Sequence, residues 1–376
     1  MEFRDLKRQY QYLENEMDAS IQKVIENTNF VQGSQVAELE KTLADYTGMK
    51  YCIACANGTD ALQLALMAWG IGEKNAVFVP DFTFFSSGEV VSAVGAVPVF
   101  VDVEHDTYNI DCDSLEKMIQ KTISDGNLVP KAIVAVNLFG QPADYERIKL
   151  IADKYHLLIL EDAAQGFGGR IGEKRACSFG DIATTSFFPA KPLGCYGDGG
   201  AIFTDSDEWA ELLRSYRVHG KGSSKYDNVR IGMNSRLDTL QAAVLLTKFP
   251  VFAEKELDWM QGIAAKYTEQ LKDVVKVPFI KEGFYSSWAQ YTIQLSDREK
   301  RDGLQSYLKE QGIPSAVYYQ KPMHRQQAFQ DMAYNDNDYL TANRLSEIVL
   351  SLPFHPYMKK EEVIFVADAI KQYLCR

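Results

Sequence analysis

Two periods of apolar residues alternate along this chain. Residues 11 to 48 carry apolar positions at helical spacing, interrupted around Asn27-Thr-Asn-Phe-Val-Gln-Gly33, which predicts amphipathic helix on either side of a break. Short, nearly continuous apolar runs follow at 51–56, 76–79, 97–101, 132–137, 157–161, 182–188 and 200–203. Helix-like stretches at 60–69, 86–94, 114–122 and 144–155 separate several of them. Strand, helix, strand in repetition predicts an α/β fold, a mainly parallel seven-stranded sheet between helices. From 237 to 272 the pattern turns long and helical. A smaller α+β unit is expected beyond it, with strands at 291–295 and 316–319 and a last helix over 360–374. We therefore expect a large domain over 1–250 and a smaller one over 251–376, a division that suits 376 residues.

Composition narrows the partners. A hydrophobic content of 46% and a charged content of 24% are those of a soluble globular protein. The net charge of −11 argues against nucleic acid or an anionic membrane as the main partner, so an anionic ligand needs a local cluster of donors. No run reaches the roughly 20 apolar residues that cross a bilayer. The start, Met-Glu-Phe-Arg-Asp-Leu, lacks the apolar core of a signal peptide. The expected location is the cytoplasm. Six cysteines do not make a disulfide scaffold in a chain this long. Cys52 and Cys55 form a C-x-x-C inside a strand-like run with no second pair, and buried packing is the expected role.

The chemistry gathers at the ends of the apolar runs, where a parallel sheet collects its ligands. Lys191 ends the run Ile182-Ala-Thr-Thr-Ser-Phe-Phe-Pro-Ala-Lys191 and leads into the glycine-rich Gly194-Cys-Tyr-Gly-Asp-Gly-Gly200. A lysine held in a partly dry pocket loses proton affinity and can condense with a carbonyl. Glu161-Asp-Ala-Ala-Gln165 ends another run. Only one of the two carboxylates can face the site, because side chains alternate along a strand. A carboxylate there, under a pyridine nitrogen, keeps the nitrogen protonated. Amine and carboxylate together suit pyridoxal phosphate. Asn57-Gly-Thr-Asp60 opens a helix and is either a phosphate-binding helix start or an ordinary capped turn. Ser186 either reaches that phosphate or is structural. Asn234-Ser-Arg236 precedes a helix and carries no function by itself. Tyr318-Tyr-Gln-Lys-Pro-Met-His324 is either the lining of a sugar or nucleotide site or an exposed strand end.

Together with Ser186-Phe-Phe-Pro-Ala-Lys-Pro-Leu-Gly194, Gly197-Asp-Gly-Gly-Ala201, Asn234-Ser-Arg-Leu-Asp-Thr-Leu-Gln-Ala-Ala243 and Ser351-Leu-Pro-Phe-His-Pro356, these segments resemble the DegT/DnrJ/EryC1/StrS sugar aminotransferases over essentially the whole chain. The resemblance implies the fold type I of pyridoxal-phosphate-dependent transferases. It implies pyridoxal 5'-phosphate held by Lys191 as an internal aldimine, with Asp162 on the pyridine nitrogen and Gln165 on the ring oxygen. Gly58, Thr59 and Ser186 would hold the phosphate and Phe84 would stack on the ring. Asn234 would reach the phosphate in a neighbouring subunit, which implies a homodimer with shared sites. Arg236, Tyr319, Tyr318 and His324 would contact a nucleotide sugar, and L-glutamate would supply the amino group, for cell-surface glycan synthesis. The Asn-Ser-Arg-Leu-Asp form at 234–238 is similar to relatives acting at C3 of a UDP-linked 3-keto hexosaminuronic acid. Tyr318 stands where that group has a histidine, which leaves open the sugar's acid group and the choice of UDP or dTDP. The alternatives are a C4 aminotransferase, a dehydratase of the same fold, which would have histidine at Lys191, and a regulator without turnover.

Overall fold

The computed structural model describes every residue except Lys225, Ala333 and Arg376. Its seven-stranded sheet consists of β1 (Tyr51–Cys55), β2 (Asn75–Pro80), β3 (Val97–Val101), β4 (Val129–Val136), β5 (Leu158–Asp162), β6 (Ile182–Ser186) and β7 (Gly200–Thr204). The spatial order is β1-β7-β6-β5-β4-β2-β3. Strands β3, β2, β4, β5 and β6 run parallel, while β7 is antiparallel to both of its neighbours. The expected sheet is present, mixed at one edge.

Helices cover both faces, and strand alternation divides the core between them. Ile53, Val77, Val79, Val134, Leu160 and Ile202 pack with α3 (Gly58–Ala68), α4 (Ser86–Ala93) and α7 (Asp207–Tyr216). On the opposite face Phe78, Val99, Ile133 and Ile159 meet α5 (Cys112–Asp125) and α6 (Tyr145–Tyr155). Cys52, Ala54, Ala183 and Phe203 meet α2 (Ser34–Thr47) and α8 (Thr239–Val251). Cys52 and Cys55 are buried free thiols on the two faces of β1. Burial pushes both thiols up, Cys55 to about 12. Both pack in the core.

Helix α1 (Leu6–Asn27) is separated from α2 where the sequence breaks, and Thr28 closes it in a left-handed conformation. The long helical run resolves into α8, a π-helical turn at Phe252–Glu256 and α9 (Leu257–Leu271). Pro250, which has no N–H to donate, lies in the last turn of α8. The division expected at 250/251 falls inside this run, and one apolar cluster unites Met17 and Leu39 with Tyr291, Leu304 and Val366.

Strands β8 (Tyr291–Gln294) and β9 (Val349–Leu352) form an antiparallel pair flanked by α10 (Arg298–Glu310), α11 (Leu340–Ile348) and α12 (Lys360–Leu374). The strand expected at 316–319 does not form. Only Ala316 exchanges backbone bonds, with Ser351. The two tyrosines leave the sheet, Tyr318 to the edge of Phe3 and Tyr319 to Phe82.

Candidate active site

The carboxyl end of β5 places two acids on opposite sides. Glu161 is fully buried and accepts from Cys177 N (2.8 Å), Phe179 N (2.7 Å) and Asn137 Nδ2 (2.8 Å). Burial pushes its pKa up to about 6. Its bonds tie down the loop after β5. Asp162, on the other side, accepts from the Ser87 hydroxyl at 2.8 Å and from Ala164 N at 3.1 Å. Burial raises its pKa, while these two donors and the Lys191 ammonium oppose the rise. Ser87 carried no signal in the sequence; only the start of α4 beneath β5 reveals its role.

Lys191 lies past the end of β6 in a tight turn closed by its own N–H to Phe188 O (2.8 Å). The turn requires glycine at 194, since a Cβ there would lie 2.4 Å from the carbonyl of Pro189. The ammonium is 5.9 Å from the centroid of the Phe84 ring. Burial lowers its proton affinity; Asp162 works against this and Arg4 with it.

A third component lies at the start of α3. Asn57 caps the helix by accepting from Asp60 N at 2.8 Å. Gly58 presses against β6, and a Cβ on it would come within 2.7 Å of Ser186 Cβ. Thr59 and Ser86 share a hydroxyl contact of 2.7 Å. The helix start with its unpaired N–H groups, and the hydroxyls of Thr59, Ser86 and Ser186, thus form a cradle with the chemistry of a phosphate site. The first turn of α4 joins the parts, with Ser86 on Thr59 and Ser87 on Asp162. Phosphate donors, a buried carboxylate and a desolvated amine fit pyridoxal phosphate. Ser86, like Ser87, is an addition that the sequence did not single out.

The other candidates take up varied positions. The Gln165 side chain accepts from Phe139 N and donates to the Tyr319 hydroxyl, both at 2.9 Å. Tyr319 also meets Phe82 and Phe84, with ring centroids 5.9 and 6.4 Å away. Phe84 and Asn234 are exposed, whereas Tyr318 and Arg236 are half-buried. No side-chain hydrogen bond joins Asn234 or Arg236 to the others among the described residues. His324 is held on both sides of its ring. Its Nδ1 bonds Asp81 Oδ2 (2.6 Å), its Nε2 bonds Asp336 Oδ1 (2.7 Å), and its ring stacks on Tyr339. Among the described residues there is no acidic, histidine or cysteine cluster able to hold a metal, and no helix long and apolar enough to cross a membrane.

The chain is similar to several known proteins along its whole length. The UDP-2-acetamido-2-deoxy-3-oxo-D-glucuronate aminotransferase of Pseudomonas aeruginosa is 44% identical over 371 residues, covering 98% of this chain and 99% of that one. The UDP-N-acetyl-3-dehydro-alpha-D-glucosamine 3-aminotransferase of Acidithiobacillus ferrooxidans is 38% identical, covering 98% and 97%. A crystal structure of a DegT/DnrJ/EryC1/StrS aminotransferase from Brucella abortus superposes over 100% of both chains, with a TM-score of 0.97 and 49% identity. The structure of NtdA from Bacillus subtilis with bound cofactor PMP has a TM-score of 0.86 and 27% identity, covering 97% of this chain and 82% of that one. A family model matches residues 11–371, and the chain belongs to the DegT/DnrJ/EryC1/StrS aminotransferase family.

Proposed function

We propose that this protein is a pyridoxal-phosphate-dependent aminotransferase that moves an amino group from L-glutamate to the C3 keto group of a nucleotide-activated sugar, working as a homodimer in the cytoplasm. The observation that carries the reading is the meeting of Lys191 with Phe84 and Asp162 beside the hydroxyl-lined start of α3. Support for C3 comes from the two relatives named for 3-oxo or 3-dehydro UDP-sugars.

When bound, pyridoxal phosphate supplies an aldehyde for the amino group and a pyridine ring that draws electrons from the carbon being deprotonated. Gly58, Thr59, Ser86 and Ser186 hold its phosphate, joined by Asn234 of a second subunit. Phe84 would pack against its ring and Gln165 would donate to it. Lys191 would be its covalent attachment point. As a free amine, Lys191 Nζ would take the α-proton of glutamate. In the second half of the reaction the same Nζ delivers a proton to the sugar carbon. Low proton affinity suits it to both tasks. Asp162 holds positive charge at the pyridine nitrogen. Tyr319, Tyr318 and Arg236 orient the sugar.

The experiment separates substrates by half-reaction. Enzyme is first charged with L-glutamate, freed of 2-oxoglutarate, and offered 3-keto or 4-keto sugars on UDP or dTDP. A 3-keto UDP-sugar is expected to restore the starting visible spectrum. Restoration by 4-keto sugars alone would assign C4, and a spectrum insensitive to glutamate would point to a regulator.

A further inference from the structure

The loop that carries Lys191 is gripped by two cations remote from it in sequence. Arg4, in the segment ahead of α1, donates through Nη2 to the carbonyl oxygens of Lys191 (2.8 Å) and Pro192 (3.4 Å). Lys248 on α8 is 2% exposed, donates to the carbonyl of Gly194 at 2.8 Å and sits 4.2 Å from the centre of the Tyr196 ring. Glu256 is the carboxylate that acts on both cations. It is 1% exposed and also accepts from Gln9 Nε2 (2.9 Å) and the Tyr357 hydroxyl (2.6 Å). The segment is fastened on either side of Arg4, where Phe3 O accepts from Phe354 N and Asp5 caps α1. Taking charges out of water costs several kcal/mol each unless partners are well placed. Here the partners are three carbonyls of one four-residue loop, and that loop holds the amine.

We propose that Arg4 is a positioning residue for Lys191, fixing the backbone of the 191–194 loop together with Lys248 so that the amine keeps a single place in the site. The inference rests on Lys191 being the cofactor's attachment point. Arg4 also acts through space. Lys191 is faced by Asp162 from β5, which favours its ammonium, and by Arg4, which disfavours it in the same direction as burial. The groups around Arg4 are Glu256, Lys248 and His355. Burial pushes His355 down to about 4, so its charge is constant through neutral pH. Lys248 is pushed down to about 8 by burial. The Nη1 of Arg4 is sealed from solvent with no hydrogen-bond partner among the described residues, so a lysine, with one donor head, can replace the contact that matters.

The test compares Arg4→Met, which keeps length without charge or donor, with Arg4→Lys, which restores both. In the holoenzyme, Arg4→Met is expected to raise the pH midpoint of the bound cofactor's visible absorbance by about one unit. It should lower kcat about tenfold while KM for glutamate changes less than about twofold. Arg4→Lys should restore most of both. In the cofactor-free chain, the pH dependence of Lys191 acylation, read by peptide mapping, should shift upward in the same way. If Arg4→Met does not fold, Arg4→Gln removes the charge and keeps a donor, and its midpoint should also rise. A variant with the chromophore still on Lys191 and unmoved spectral and acylation midpoints would overturn the inference alone. A wild-type chromophore attached elsewhere would overturn the functional reading beneath it.

Discussion

Two neutral donors and one cation oppose the rise that burial imposes on the Asp162 pKa, so each of the three is individually measurable. Ser87→Ala removes a donor that favours the ionised form, and the sign is fixed: the carboxyl pKa rises further. A hydrogen bond to a charged group is worth about 1.5–3 kcal/mol, or about one to two pH units. The acid limb of the kcat/KM profile should therefore move up by about one unit, and an unmoved limb would mean that Asp162 is not the group titrating there. Of this arrangement the sequence revealed one half. Alternation in β5 shows that only one of Glu161 and Asp162 can face the site, and glycine turns mark the Lys191 loop. The serines at 86 and 87 begin a helix like many others. Their function depends on α4 starting beneath Asp162 and beside Thr59, a tertiary fact that no local pattern encodes.

Between elements, the turn 323–325 locks onto the end of β2. Asp81 accepts from Met323 N at its carbonyl and from His324 N and Nδ1 at its carboxylate. Burial alone would lower the pKa of His324, but Asp81 and Asp336 override it and the pKa lies above the usual value of 6.5. A raised histidine pKa contributes stability that is present in full below pH 6.5 and fades as pH climbs through the folded value. His324→Gln should thus cost about 3 kcal/mol near pH 6. The gap in melting temperature between the two proteins should narrow toward pH 9. A gap independent of pH would show that the pair is uncharged throughout. This contact joins the loop carrying Phe84 to the one carrying Tyr319, so its loss should loosen both. The sequence left the 318–324 stretch open between a sugar site and an exposed strand end; in the structure His324 stacks on Tyr339 and bonds Asp336, which follow it within 15 residues but return only through tertiary folding. Pro250 was visible in the sequence, yet the π-helical turn that follows it within a continuing helix depends on packing against α1, α2 and α12.

At the scale of the whole molecule, the segment before α8 leaves Asn234 exposed, and it displays Val229 (55% exposed) and Ile231 (90% exposed) to solvent. A second copy of this chain is the partner we propose for that surface, with Asn234 completing the neighbour's phosphate site. Mixed dimers test this sharing. Lys191→Ala and Asn234→Asp chains, each inactive alone, should recover about a quarter of wild-type activity when refolded or co-expressed together, because half of the dimers are hybrids and each hybrid has one intact site. No recovery, with dimers confirmed by light scattering, would place Asn234 in its own subunit's site or in none. The alternation of strand and helix made the sheet legible from the sequence, since its residues are buried by local pattern. Assembly was legible only by resemblance, because an exposed asparagine looks the same whether water or a neighbour covers it. The account as a whole depends on where the cofactor is joined to the chain, and reduction of the holoenzyme with borohydride, followed by peptide mapping, measures that directly. A pyridoxyl mass on the peptide containing Lys191, abolished by Lys191→Ala, is the predicted result; a label on another lysine, or none on a protein that still transfers amino groups, would contradict it.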